Sequence, residues 1–125
     1  MSVKETVDRM VRKAGMVPPV DRSQRVLTDG SPVPETEDHR ELRDDGQQKG
    51  YIVLSEEERA RGYVRLVRLT YIHTPCGTVT RMAQSIAETF ARDPKFYSGG
   101  FCIGCRAHFP NDQFVWQDDG SPVGS

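Results

Sequence analysis

The sequence has no apolar run approaching the roughly 20 residues that cross a bilayer. Its opening, MSVKETVDRMVRK, also lacks the apolar stretch of a signal peptide, so a cytosolic protein is expected. Cysteine is scarce. There are three, an odd count, and two of them form the tight pair Cys102-Ile-Gly-Cys105, which argues against a secreted disulfide framework. Apolar material is thin as well: 36% of the residues are hydrophobic and 8% aromatic, against 28% charged. A chain of 125 residues with so little to bury needs a staple, and a bound metal is one such staple. Neither sign of charge dominates. With 17 basic and 18 acidic residues the net charge is -1, which excludes a uniformly basic nucleic-acid binder and leaves room for a local patch. No Gly-rich phosphate loop, Ser-His-Asp arrangement or inward carboxylate pair stands out, so the expected class is a binding protein and not an enzyme.

What is present divides into three stretches. Residues 1–15 read as an N-terminal amphipathic helix, because Val3, Val7, Met10 and Val11 share a face, Ser2 and Glu5 have capping-box spacing, and Gly15 is a natural stop. Residues 16–49 carry Pro18, Pro19, Pro32 and Pro34 among many charges, with almost no apolar periodicity, and read as a polar flexible linker. A Gly-Ser-Pro turn signal at Asp29-Gly-Ser-Pro-Val33 recurs at residues 119–123, too short a match to establish a repeat. Residues 50–125 hold the regular patterns. Residues 51–54 are a short β-prone run, and Ser55 with Glu58 has the spacing to cap a short helix that breaks at Gly62. Residues 63–72 are dense in β-branched and aromatic side chains and predict the longest strand. Met82, Ile86 and Phe90, with Ala83, Ala87 and Ala91 beside them, predict an amphipathic helix over 82–92 that Asp93-Pro94 ends. Residues 114–116 read as a final strand after a turn at 110–112.

The chemistry concentrates in two pairs. His73-Thr-Pro-Cys76 and Cys102-Ile-Gly-Cys105 each have two intervening residues, and 25 residues separate them. That spacing lets both side chains of a pair converge on one side of a tight turn, so two pairs supply four ligands to one tetrahedral zinc. Gly77 and Gly104 would permit the backbone torsions such knuckles require. All three cysteines are used and none is left over. His73 is preferred over His108 as the fourth ligand because its spacing to Cys76 matches that of the other pair. Four protein ligands leave no open position, so one structural Zn2+ is expected. The fold class that follows is α+β: a small zinc-ribbon-like module over residues 50–125 with a helix between its two knuckles, preceded by the N-terminal helix and the polar tether. A zinc-deaminase alternative rests on His39-Arg-Glu41 and Cys102-x-x-Cys105. Against it, His39 lies in the charged tether, Phe101 stands where that pattern has proline, and His73 and Cys76 would be left without a role.

Between Arg59 and Ala87 there is no acidic residue, while Arg59, Arg61, Arg65, Arg68 and Arg81 occur among Tyr63 and Tyr71. Such a face could contact phosphates and stack bases, so nucleic acid is one candidate partner and a protein is the other. The plainer alternative is that these arginines pair with Glu56, Glu57, Glu58 and the acidic tether.

From Gly50 onward the stretches 50–58, Gly62-Tyr-Val-Arg65, Tyr71-Ile-His73, Cys76-Gly-Thr-Val-Thr80, 86–97 and Phe114-Val-Trp116 resemble a family of small, largely uncharacterised proteins of tailed bacteriophages and prophages; the residues before Gly50 are unmatched. The resemblance implies a viral accessory protein working in the cytoplasm of a bacterial host. A host protein, including a component of antiviral defence, is its implied partner. The residues it carries over are His73, Cys76, Cys102 and Cys105.

Overall fold

The structure, a computed structural model, describes residues 17–125, and the helix expected over residues 1–15 lies outside them. In chain order the elements are β1 (Arg25–Leu27), β2 (Ile52–Leu54), α1 (Glu56–Arg59), β3 (Thr70–His73), β4 (Val79–Arg81), α2 (Gln84–Arg92), β5 (Gly99–Cys102), β6 (Ala107–Pro110) and β7 (Phe114–Trp116). Every strand pairing is antiparallel: β1 with β2, β3 between β4 and β7, and β5 with β6. The fold is α+β, as the patterns imply.

The core forms where the apolar stripe of α2 meets the central strands. Phe90 stands edge-on to Trp116 at 5.3 Å between ring centroids, and Tyr71 stands edge-on to Phe114 at 5.2 Å. Cys102 and Val123 complete this cluster, and Met82, Ile86, Tyr97 and Phe109 pack against it. Each fully buried aromatic of this kind is worth about 1.5–3 kcal/mol. Val123 reaches the core because the second Gly-Ser-Pro turn folds back on β7, with Trp116 N–H donating to Ser121 O at 2.8 Å and Val123 N–H to Phe114 O at 3.1 Å. The first copy folds alike: in both, the Asp carboxylate accepts from the Ser backbone N–H at 2.9 Å and from its hydroxyl at 2.6 Å.

Two expectations change. Of residues 63–72, only Thr70 onward is strand. Before it, Val64 and Arg65 N–H both turn to Ala91 O at the end of α2, and the Arg68 side chain is drawn inward over the Trp116 ring at 4.6 Å, so the propensity of 63–69 is overridden by tertiary contacts. The described part of the expected linker, residues 17–49, is held against the module. β1 pairs with β2, Ser55 N–H reaches Gln24 O at 2.7 Å, and Arg22 grips Asp93 through two hydrogen bonds of 2.7 and 3.1 Å. Composition missed this because backbone pairing and ion pairs, not an apolar stripe, make the attachment.

Glu58 is the polar centre of that attachment. The spacing to Ser55 is read correctly, since Ser55 Oγ accepts Glu58 N–H at 3.2 Å. The Glu58 side chain does not reach back to the cap, however. It accepts from Arg92 at 2.7 Å, from Arg61 at 3.0 Å and from Asp21 N–H at 3.1 Å, and both the Glu58 and Arg92 side chains are almost fully buried. Arg92 also donates to Pro19 O and Gly62 O. Burial alone would raise the Glu58 pKa, but the Arg92, Asp21 and Arg61 hydrogen bonds outweigh it and leave it below its ordinary 4.5. A depressed carboxylate contributes stability that is fully present above the unfolded value and is lost as pH falls through the folded one. Glu58→Gln, which leaves Arg92 a buried charge without its partner, should cost about 3–5 kcal/mol in urea unfolding at neutral pH. The gap to the native chain should narrow as the pH falls below the unfolded value of 4.5 and close only once it passes below the depressed folded value, where native Glu58 is itself protonated.

Candidate metal centre

Two hairpins present the four donors. At the end of β3, Cys76 and Gly77 N–H both bond back to His73 O at 3.2 and 2.7 Å, making a tight turn that Gly77 completes with a φ of 76°. At the end of β5, Arg106 N–H bonds to Cys102 O at 2.7 Å, Cys105 N–H points at Cys102 Sγ at 3.4 Å, and Arg106 takes the left-handed position with a φ of 57°. The two turns are alike: each puts a left-handed residue directly after its second ligand. Gly104 therefore has a different role from the one its sequence position implies. Its backbone is not left-handed; a Cβ there would stand 2.2 Å from Thr78 Oγ1, so Gly104 is what lets the turns meet. Ile103 N–H then donates across the junction to Thr80 Oγ1 at 3.1 Å.

The four donors converge. Those of His73, Cys76, Cys102 and Cys105 all lie within 4.8 Å of one another. Ligands at about 2.3 Å (sulfur) and 2.0 Å (nitrogen) from a tetrahedral ion stand roughly 3.5–3.8 Å apart. Three of the six separations are close to these values, at 3.5 Å for Cys76 Sγ to Cys102 Sγ, 3.2 Å for His73 Nδ1 to Cys76 Sγ and 3.5 Å for His73 Nδ1 to Cys105 Sγ, and the others lie within 4.8 Å. The arrangement fits a cation in four-coordinate geometry. Gln113 Oε1 lies 2.8 Å from His73 Nε2, so the imidazole carries its proton there and turns the Nδ1 lone pair toward the sulfurs. Phe109 stacks on the same ring at 4.2 Å. His108 takes no part, its Nε2 being 2.7 Å from Tyr51 Oη. His39 sits in the 3₁₀ turn Asp38–Arg40 and is not in the cluster.

The electrostatics also suit a cation. Hydrogen bonds from the Thr78 hydroxyl and backbone bring the Cys76 thiol down to about 6, whereas desolvation and the neighbouring sulfurs of Cys76 and Cys102 push Cys105 up to about 11. Three thiolates in one place oppose one another, and a divalent ion at their centre reverses that balance for all three.

The arginines do not form one free basic face. Arg59 pairs with Glu88 at 2.8 Å and donates to Leu54 O, Arg61 pairs with Glu58, and Arg68, only 9% exposed, bonds Asp119 at 3.0 Å and Ser121 Oγ at 2.9 Å. These pairings are of the kind the plainer alternative anticipates, although only Glu58 was among its named partners. Arg81 is exposed and lacks a carboxylate partner among the described residues, and Arg65, also exposed, donates to Ser125 O at 3.2 Å and Val64 O at 2.9 Å. No described helix is long and apolar enough to cross a membrane.

Sequence reading missed Gln113, Thr78 and Phe109. Gln113 comes to the imidazole because β7 pairs with β3 in the register His73↔Phe114, and no local pattern reveals that pairing. No family model, no curated protein and no solved structure matches the chain. Gln113→Leu should leave the fold intact while lowering metal affinity roughly 10- to 100-fold, read by competition with a chromogenic chelator. An unchanged affinity would remove the orienting role of Gln113.

Proposed function

We propose that this chain is a zinc-stabilised, zinc-ribbon-like binding protein without a catalytic centre, encoded by a tailed phage or prophage, that acts in the bacterial cytoplasm on a host protein such as a defence component. The closed set of four protein donors carries this reading. Three thiolates and one imidazole suit zinc, and with four donors from the chain no position remains for an activated water or a substrate. The metal's work is then to lock together the two hairpin ends, whose turns meet at Gly104 and Thr78. Antiparallel hairpins bearing both turns, with α2 between them in the chain, support the ribbon-like description.

A protein partner is favoured over nucleic acid by what remains exposed. Three of the five arginines are engaged in internal ion pairs, whereas Ile103, inside the second turn, and Val79, just after the first, are 54% and 41% exposed. Apolar groups on a metal-rigidified junction suit a protein surface better than a phosphate backbone.

Elemental analysis of purified protein should find one zinc per chain, and Cys102→Ser should lose both metal and cooperative melting, since binding and folding share on the order of 10 kcal/mol. Chelated protein that keeps its melting temperature would overturn the structural role. Affinity purification from expressing bacterial cells should retain one defined protein at physiological salt, and Ile103→Asp should release it. Oligonucleotide binding that weakens steeply with salt, and further on Arg65→Ala, would instead establish the nucleic-acid reading.

A further inference from the structure

The arm preceding the module does more than cover it. Residues 43–47 make a tight hairpin, with Arg43 N–H donating to Gln47 O at 2.6 Å and Gly46 N–H to Arg43 O at 3.0 Å. It is fastened to the second metal turn. The Arg106 guanidinium donates to Asp44 O at 2.7 Å, and Gly46 lies so near Arg106 O that a Cβ would stand 2.1 Å from it. Between this hairpin and the core lies a cavity of about 230 Å³.

Its floor is apolar, built from Tyr71, Met82, Ile86, Phe90 and Phe114. Three of the polar side chains that border it are already engaged: Tyr71 Oη donates to Phe101 O, Tyr97 Oη donates to Ile52 O, and Thr80 Oγ1 accepts from Ile103 N–H. An occupant therefore needs an apolar body. The rim has the opposite character. No Asp or Glu lines the cavity, while Arg43, Lys49 and Arg81 all do. Arg43 and Lys49 are offset by Asp45 at 3.2 Å and Glu41 at 2.7 Å, which leaves Arg81 as the rim cation without a carboxylate among the described residues. Near Arg81, the N-cap position of α2 is Ala83, which offers no side-chain cap, and the first turn holds no acidic residue, which adds to the positive potential there.

We propose that this cavity binds a small amphipathic carboxylate, an aromatic or medium-chain acid, with its body on the Phe90–Phe114 floor and its head at Arg81. Size sets the class. An apolar cavity of about 150 Å³ accommodates benzene, so one half again as large accommodates about nine or ten heavy atoms. One rim cation without a carboxylate partner among the described residues calls for one negative charge. This assignment is independent of the partner proposed above and of the metal's identity.

The test uses the full metal-loaded chain and two acids, octanoate and hydrocinnamate, each beside its alcohol, octanol and hydrocinnamyl alcohol. Amide NMR titration should show saturable shifts at Ile86, Phe90 and Gly100 for both acids, with Kd of roughly 0.01–1 mM, and each alcohol should bind at least about 10-fold more weakly. Arg81→Gln should erase that difference and leave alcohol binding where it was. Gly100→Leu should abolish both, because its Cβ enters contact with Phe114 at 3.7 Å and Tyr71 at 3.9 Å and the rest of the side chain occupies the cavity. Should Gly100→Leu fail to fold, Ala83→Leu at the mouth provides the same block. Absence of saturable shifts with either acid up to about 10 mM overturns the site. Equal binding of acids and alcohols, or indifference to Arg81→Gln, overturns the choice of a carboxylate.

Discussion

The junction of the two hairpin ends is the constraint on which the rest of the C-terminal half depends. Gly104 against Thr78 and Ile103 N–H on Thr80 Oγ1 bring the turns together, beside the core that Tyr71 and Cys102 share. The four converging donors would tighten that junction if an ion sat among them. Cys102 ties that site to the interior, because it belongs to the same buried cluster as Phe90, Phe114 and Trp116 and is itself fully inaccessible. A shift of its sulfur would disturb metal and core together. For a small, polar chain, a metal held by these donors would contribute what a large core otherwise has to.

The arm is held by a different device. Arg92 and Asp93, at the C-terminal end of α2, are both anchors: Arg92 reaches Glu58 and Pro19 O, and Asp93 receives Arg22. A cation in the last turn of a helix is also favoured by the helix dipole, which adds to the hold on Arg92 there. Because Arg92 is buried, the accepting groups around it are obligatory, and a chain without apolar periodicity can still be fixed on one path. The resulting attachment should be more sensitive to acid than one built from leucines.

How much of this was legible follows from the range of each interaction. The four-donor set, the α2 helix, the Ser55 cap and the last strand are local patterns, and all were readable in the sequence. The strand over 63–69 was misread because β propensity at Tyr63, Val64 and Val67 lost to contacts with Ala91 O and Trp116, which lie far along the chain. Treating residues 17–49 as a loose tether failed for a related reason. Proline and charge mark an absence of apolar stripe, yet β1 is held by three paired residues and the hairpin 43–47 by Arg106, neither of which needs one. Gln113 could be found only once the β3–β7 register was known. The left-handed residue after Cys105 was hidden because arginine, not glycine, occupies it.

The same register also decides which charged group is left available. In β4, Thr80 points inward and meets the second metal turn, so its neighbours Val79 and Arg81 must face the other way. A slip of one residue against β3 would bury Arg81, expose Thr80 and break the Ile103 contact that brings the knuckles together. The register that brings the four donors together thus also leaves Arg81 without a carboxylate partner among the described residues, at the rim of an apolar cavity. Arg59, Arg61 and Arg68, by contrast, are placed by carboxylates that hold the fold itself. Within the arginine-rich stretch, the capacity to recognise a ligand therefore shifts from the group as a whole to a position the metal junction fixes but does not use.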